Sequence, residues 1–152
     1  VDQGRDARLQ PGQLLLSHGL ICGKVVQVGR YTSLVQTITE PGYRDLVRLG
    51  PSGPEGILEG TGQPLPRIRL VGVTEPVTVG DPVFSAAGEG LLNQPLLCGR
   101  VVRVERSVGA AHWDIWMEPA VDPARTDRFA VLRIETNPLR VAGRESRVMS
   151  RE

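Results

Sequence analysis

Long apolar runs, aromatic rings, histidine and lysine are scarce in this chain of 152 residues, and each scarcity removes a class of function. No stretch approaches the roughly 18 consecutive apolar residues of a membrane helix. The opening Val1-Asp2-Gln3-Gly4 lacks the basic and apolar regions of a signal peptide. A start on Val rather than Met reads as a piece excised from a longer protein, with any anchor upstream. His18 and His112 are the only imidazoles available to a nucleophilic triad. His18 lies in the turn-like Ser17-His18-Gly19 without a nucleophile elbow, and His112 opens a strand beside Trp113. A solvated turn role is expected for the first and a surface or interface role for the second.

The two cysteines, Cys22 and Cys98, form neither a zinc quartet nor a CxxC motif, and no carboxylates cluster at ligand spacing. No metal or cofactor is therefore expected. Two readings of the cysteines stand: buried free thiols filling space as small apolar residues, or a disulfide in an oxidising compartment. Charge is balanced, 18 Lys and Arg against 17 Asp and Glu, so no long-range field recruits nucleic acid or an anionic membrane. Lys24 is the sole lysine. Arg67, Arg69, Arg100 and Arg103 suit a nucleic-acid groove in principle. The stacking platform is thin, because Tyr31, Tyr43, Phe84, Trp113, Trp116 and Phe129 are dispersed.

What the chain has in quantity is punctuation: 18 Gly and 12 Pro, which favour short strands joined by turns. Strands are predicted at 24–28, 33–39, 43–49, 56–60, 67–74, 82–86, 99–105, 112–117 and 129–135. Centres about ten residues apart suit a sandwich or small barrels. Gly60-Thr61-Gly62 and Gly80-Asp81 read as turns. The segment 20–28, Leu-Ile-Cys-Gly-Lys-Val-Val-Gln-Val, matches 96–104, Leu-Leu-Cys-Gly-Arg-Val-Val-Arg-Val, at an offset of 76, which signals duplication. Pro11-Gly12-Gln13 pairs with Val79-Gly80-Asp81 at an offset of 68, placing about eight extra residues in the loop after Phe84. Glu40-Pro41 and Glu118-Pro119 recur at an offset of 78.

The fold class expected is all-β, with a first half over 4–62, a second over 63–136 and a disordered, arginine-bearing tail over 137–152. Trp113 and Trp116 fall on opposite sides of one strand, so both are core or at least one is an exposed contact anchor. Candidate partner-contact residues are Trp113, Trp116, Phe84, Leu91 and Leu92. No catalytic residue is assigned.

In order and spacing these elements resemble the MreC family of rod shape-determining proteins. The resemblance is carried by residues 19–25, by Thr32-Ser33-Leu34-Val35 leading to Thr39-Glu40-Pro41, and by 55–62. It continues through Val79-Gly80-Asp81-Pro82-Val83, Cys98-Gly99-Arg100-Val101 and Glu118-Pro119-Ala120-Val121-Asp122, and spans 4–135. The loop after Phe84 departs from the family pattern, which lowers the weight of any partner contact there. The resemblance implies two small six-stranded β-barrels in a chymotrypsin-like double-barrel architecture without catalytic residues. It further implies a non-catalytic scaffold of cell-wall elongation on the periplasmic side of the inner membrane, anchored by an upstream helix. Its implied partners are the MreB system, MreD and other shape-complex proteins, a class B penicillin-binding transpeptidase, and further copies of itself. Nucleic acid is not among them. A two-barrel hydrolase or protease, and an OB-like nucleic-acid binder, are the alternatives the residues leave open.

Overall fold

The computed structural model describes residues 9–86, 95–125, 128–136 and 144–151. Among these described residues eleven strands follow in order: β1 (Leu14–Ser17), β2 (Leu20–Val28), β3 (Ser33–Thr37), β4 (Arg44–Leu49), β5 (Glu55–Glu59), β6 (Arg67–Arg69), β7 (Pro82–Ser85), β8 (Leu96–Glu105), β9 (Asp114–Pro119), β10 (Phe129–Thr136) and β11 (Arg144–Arg151). They form two units. A closed barrel runs β4-β5-β6-β9-β8-β7, and a five-stranded sheet runs β11-β10-β1-β2-β3. All the pairings are antiparallel.

The duplication extends to individual hydrogen bonds. β1-β2-β3 and β7-β8-β9 repeat one another, with Leu15 paired to Gly23 in the first copy and Val83 to Gly99 in the second. Both copies carry a bulge one residue further on, and a second bulge at Val25/Gln27 and at Val101/Arg103. Ahead of the first strand, Gly12 N–H donates to Val25 O and Val25 N–H to Gln13 O at 2.7 and 2.9 Å. Gly80, Val101 and Asp81 repeat these bonds at the same two distances. The turns carry matching side-chain caps: Gln13 Oε1 accepts from Gln10 N–H, and Asp81 Oδ2 from Thr78 N–H, each at 2.9 Å. Gly80-Asp81 is thus a turn, as its sequence suggests.

The glycine after each cysteine has a steric reason. A Cβ on Gly23 would stand 2.3 Å from Gln36 O, and one on Gly99 2.1 Å from Glu118 O, so neither strand crossing admits a side chain. These contacts also give the third-strand equivalence, Gln36 with Glu118, an offset of 82. The recurrence of Glu-Pro at an offset of 78 is therefore not the structural match. The connection over 106–113 is longer than the one over 29–32, so the register is not restored.

Each unit has its own completion. β4 flanks β7 in the barrel as β10 flanks β1 in the sheet, and β5 flanks β4 as β11 flanks β10. The barrel then closes through β6, between β5 and β9. No strand among the described residues stands in that place between β11 and β3. The all-β class and duplicated plan hold, with one barrel closed and its counterpart a five-stranded sheet.

This topology corrects the domain boundaries. A division at 62/63 falls inside the closed barrel, between β5 and β6, because β4 and β5 pair with the later strands and β10 returns to the first sheet. The tail is also more ordered than its composition suggests. Residues 144–151 form β11, in register with all of β10, while 137–143 and 152 lie outside the described residues.

β1 reads as an unpatterned run, Leu14-Leu15-Leu16, because both of its faces are covered. Leu14 and Leu16 join the main core with Ile21, Ile38, Tyr43 and the barrel interior. Leu15 joins a smaller core with Leu9, Cys22, Val25 and Val131. Each fully buried aliphatic side chain contributes about 1.5–3 kcal/mol, so a main core spanning both units ties them together. At its end β1 turns into β2 through His18 and Gly19, both at positive φ (52° and 78°), the conformation of a tight hairpin turn.

Candidate partner-contact surfaces

On β9 the alternation sends Ile115 and Met117 into the barrel and leaves Trp116 half-buried on its outer wall. Cross-strand register sets Trp116 opposite Arg67 of β6 and Arg103 of β8. The two guanidinium groups lie 5.5 and 3.9 Å from the ring centroid. Each such contact is worth about 0.5–1 kcal/mol at a wet surface. Arg67 is itself fixed by an ion pair with Asp114 on the same wall. Its Nε is buried without a hydrogen-bond partner among the described residues. A large aromatic ring held this way has little side-chain freedom left to lose in any contact.

The other sequence candidates separate from it. Trp113 lies just before β9, packs against the main core, and donates from Nε1 to Glu75 O at 3.0 Å, so it anchors the segment after β6. Phe84 is half-buried on the outer face of β7, paired with Leu97. Leu97 and Arg103 are six positions apart on β8, about 20 Å at strand rise, so Phe84 and Trp116 belong to different patches. Leu91 and Leu92 lie outside the described residues.

A polar cluster at the joint between the units escaped sequence reasoning. Lys24, from β2, donates through Nζ to Arg44 O on β4 and sits 4.9 Å above the Tyr43 ring. Asp45 accepts from Ser85 Oγ of β7 at 3.0 Å. Burial pushes the Asp45 carboxyl above its ordinary range, while the Ser85 hydroxyl and the Lys24 charge pull it back. Tyr43 is wholly buried, its hydroxyl has no partner among the described residues, and burial raises its phenol far above normal. The one available signal was that the only lysine occupies the place filled by Arg100 in the other copy.

The thiols are free and fully buried. Cys22 donates to Leu15 O at 3.4 Å, and burial pushes its pKa up to about 12. Burial raises Cys98 as well. Both are space-filling, and the disulfide reading is set aside. His18 Nδ1 lies 3.2 Å from Ser17 Oγ, but Ser17 is buried within β1, so its hydroxyl is not offered to a substrate. His112 bridges Gly72 along the backbone. Among the described residues no His, Cys and carboxylate side chains converge as a metal site.

A mainly apolar groove of about 600 Å³ opens where the chain crosses between the units. Thr39, Pro64, Leu65, Pro119 and Pro123 line it, with Glu118 and Asp122 adding acidic groups. Among the described residues no helix is long and apolar enough to cross a membrane.

Comparison with known proteins places this arrangement. Residues 1–133 match the family model for the barrel core of the rod shape-determining protein MreC. The cell shape-determining protein MreC of Cereibacter sphaeroides is 33% identical over 85 residues, 56% of this chain and 28% of that protein. The protein of the same name from Caulobacter vibrioides is 28% identical over 103 residues, 68% of this chain and 30% of its own length. The chain therefore spans less than a third of either relative. The crystal structure of MreC from Pseudomonas aeruginosa superposes with a TM-score of 0.73 at 25% identity, covering 86% of this chain and 84% of that one. With most of its length matched to the barrel-core model, the chain belongs to the MreC family of rod shape-determining proteins.

Proposed function

We propose that this chain is a non-catalytic scaffold module on the periplasmic side of the inner membrane. In this reading it is tethered by an upstream helix and links the MreB system and MreD to a class B penicillin-binding transpeptidase during wall elongation. It also associates with further copies of itself. Trp116, clamped between Arg103 and Arg67 on the barrel wall, is the observation that carries the reading. A preorganised Trp flanked by Arg has the composition of an interface hot spot, where a few such anchors supply most of the binding energy. Phe84 offers a second, separate contact. The buried thiols, the buried Ser17 hydroxyl and the Ser85 hydroxyl committed to Asp45 fit a framework whose reactive groups serve packing.

Calorimetric titration with the periplasmic part of the cognate transpeptidase tests this. Saturable binding is expected, weakened at least tenfold by Trp116→Ala with the circular dichroism spectrum unchanged. Absence of binding by the wild-type chain would contradict the transpeptidase link.

A further inference from the structure

The duplication sets Lys24 on β2 against Arg100 on β8, at the same offset of 76 that relates the two cysteines. Arg100 stays within its own copy. Its Nη1 donates to Gly80 O at 3.2 Å, in the turn that leads into β7. Gly12 is the counterpart of Gly80, so a side chain that kept the plan would turn back toward Gly12 O. Lys24 does not. It crosses from the sheet to the barrel, where its Nζ donates to Arg44 O and lies 4.9 Å from the centre of the Tyr43 ring.

What it crosses to is a polar layer inside the barrel. On β4 the alternation that sends Val47 and Leu49 inward puts Asp45 on their side, and Ser85 of β7, 2% exposed, donates to its carboxyl. Asp45 also feels the Lys24 charge. Cys98 of β8 is wholly buried within electrostatic reach of Asp45, and so is Tyr43, whose hydroxyl has no partner among the described residues. Burying hydroxyl, thiol and carboxyl stabilises less than burying the aliphatic side chains of the barrel core. A cation held by a backbone carbonyl and an aromatic face supplies a directed contact across the joint instead.

We infer that Lys24 is a latch: its reach from β2 onto β4 holds the sheet against this part of the barrel, and its withdrawal lets the two units part there. The device belongs to the fold and is independent of which partner the module binds. With the latch closed, sheet and barrel present their surfaces as one body. With it open, water reaches Asp45, Ser85 and Cys98. Cys22 stays enclosed, because Leu9, Leu15, Val25 and Val131 around it belong to the sheet and its lead-in.

The two thiols report the difference. Their reaction with a disulfide reagent under native conditions, followed by mass spectrometry over days, is compared in the wild type, Lys24→Met and Arg100→Met. Lys24→Met keeps a flexible apolar stem and removes the charge and the donors. It is expected to speed labelling of Cys98 by about tenfold or more, the effect of losing one charge-assisted hydrogen bond, with Cys22 at the wild-type rate. Arg100→Met, the same change in the other copy, is expected to move neither thiol. Acetylation of the folded wild type, whose only side-chain amine is Lys24, removes the charge without a mutation and is expected to expose Cys98 in the same selective way. Equal acceleration of both thiols would make Lys24 a contributor to global stability alone. That result, or Cys98 protection unchanged in the Met variant or in the acetylated chain, would overturn the latch.

Discussion

Gly23 and Gly99 each face a backbone carbonyl at a distance no methyl group tolerates, and the carbonyls belong to strands that cannot retreat without breaking their ladders. Gly23→Ala and Gly99→Ala should each destabilise the chain by about 1–3 kcal/mol in urea denaturation, with similar costs because the sites are copies. The thiols beside them should be silent. With the Cys22 pKa pushed up to about 12, the thiolate is a trace species at neutral pH, so a thiol reagent should label neither cysteine in the native chain and both after denaturation, read by mass spectrometry. Asp45 titrates in the opposite sense to most carboxylates. Its folded-state pKa lies above the ordinary 3.8, so the native state holds the proton more tightly than the unfolded chain, and stability falls as pH rises from 3.8 through the raised value. Denaturation over a pH series should show this decline in the wild type relative to Asp45→Asn, levelling off above the raised pKa. A wild-type-minus-variant difference flat with pH would refute the assignment. Cys-Gly pairs were legible in the sequence because repetition marks them. The Lys24, Asp45 and Ser85 contacts were not, since they join residues far apart in the chain and no periodicity announces them.

Among the elements, those with polar and apolar residues alternating or with flanking turns were readable, including the bodies of β2, β4, β5, β7, β8 and β10. β1 was missed because burial on both faces removes alternation. β6 is shorter than the sequence suggests, ending at Arg69 where Leu70 adopts a positive φ of 67°. The chain then leaves the barrel wall, and the Trp113 indole holds it through Glu75 O. Trp113→Phe keeps the ring in place and removes the donor, so a loss of about 1 kcal/mol in thermal or urea unfolding is expected. β11 was hidden by its arginines, which resemble a solvated tail until β10 supplies a partner strand.

At the scale of the whole molecule, one hairpin plan is used twice with different endings: a barrel closed by β6, and a sheet in which no strand among the described residues takes the equivalent place. Sequence repetition showed that there were two copies but not which strands complete each, because β4, β5, β10 and β11 lie outside the repeated blocks. Of the candidate contacts, Trp116 could be picked out as a face-exposed aromatic on an alternating strand, whereas its Arg67 and Arg103 clamp depends on register across three strands. The most direct test of the scaffold reading is the shape of cells of the source organism whose full-length protein lacks residues 9–136, imaged with the protein's level and localisation verified. The account predicts that these cells lose the shape of the wild type. Cells of unchanged width and length would contradict it.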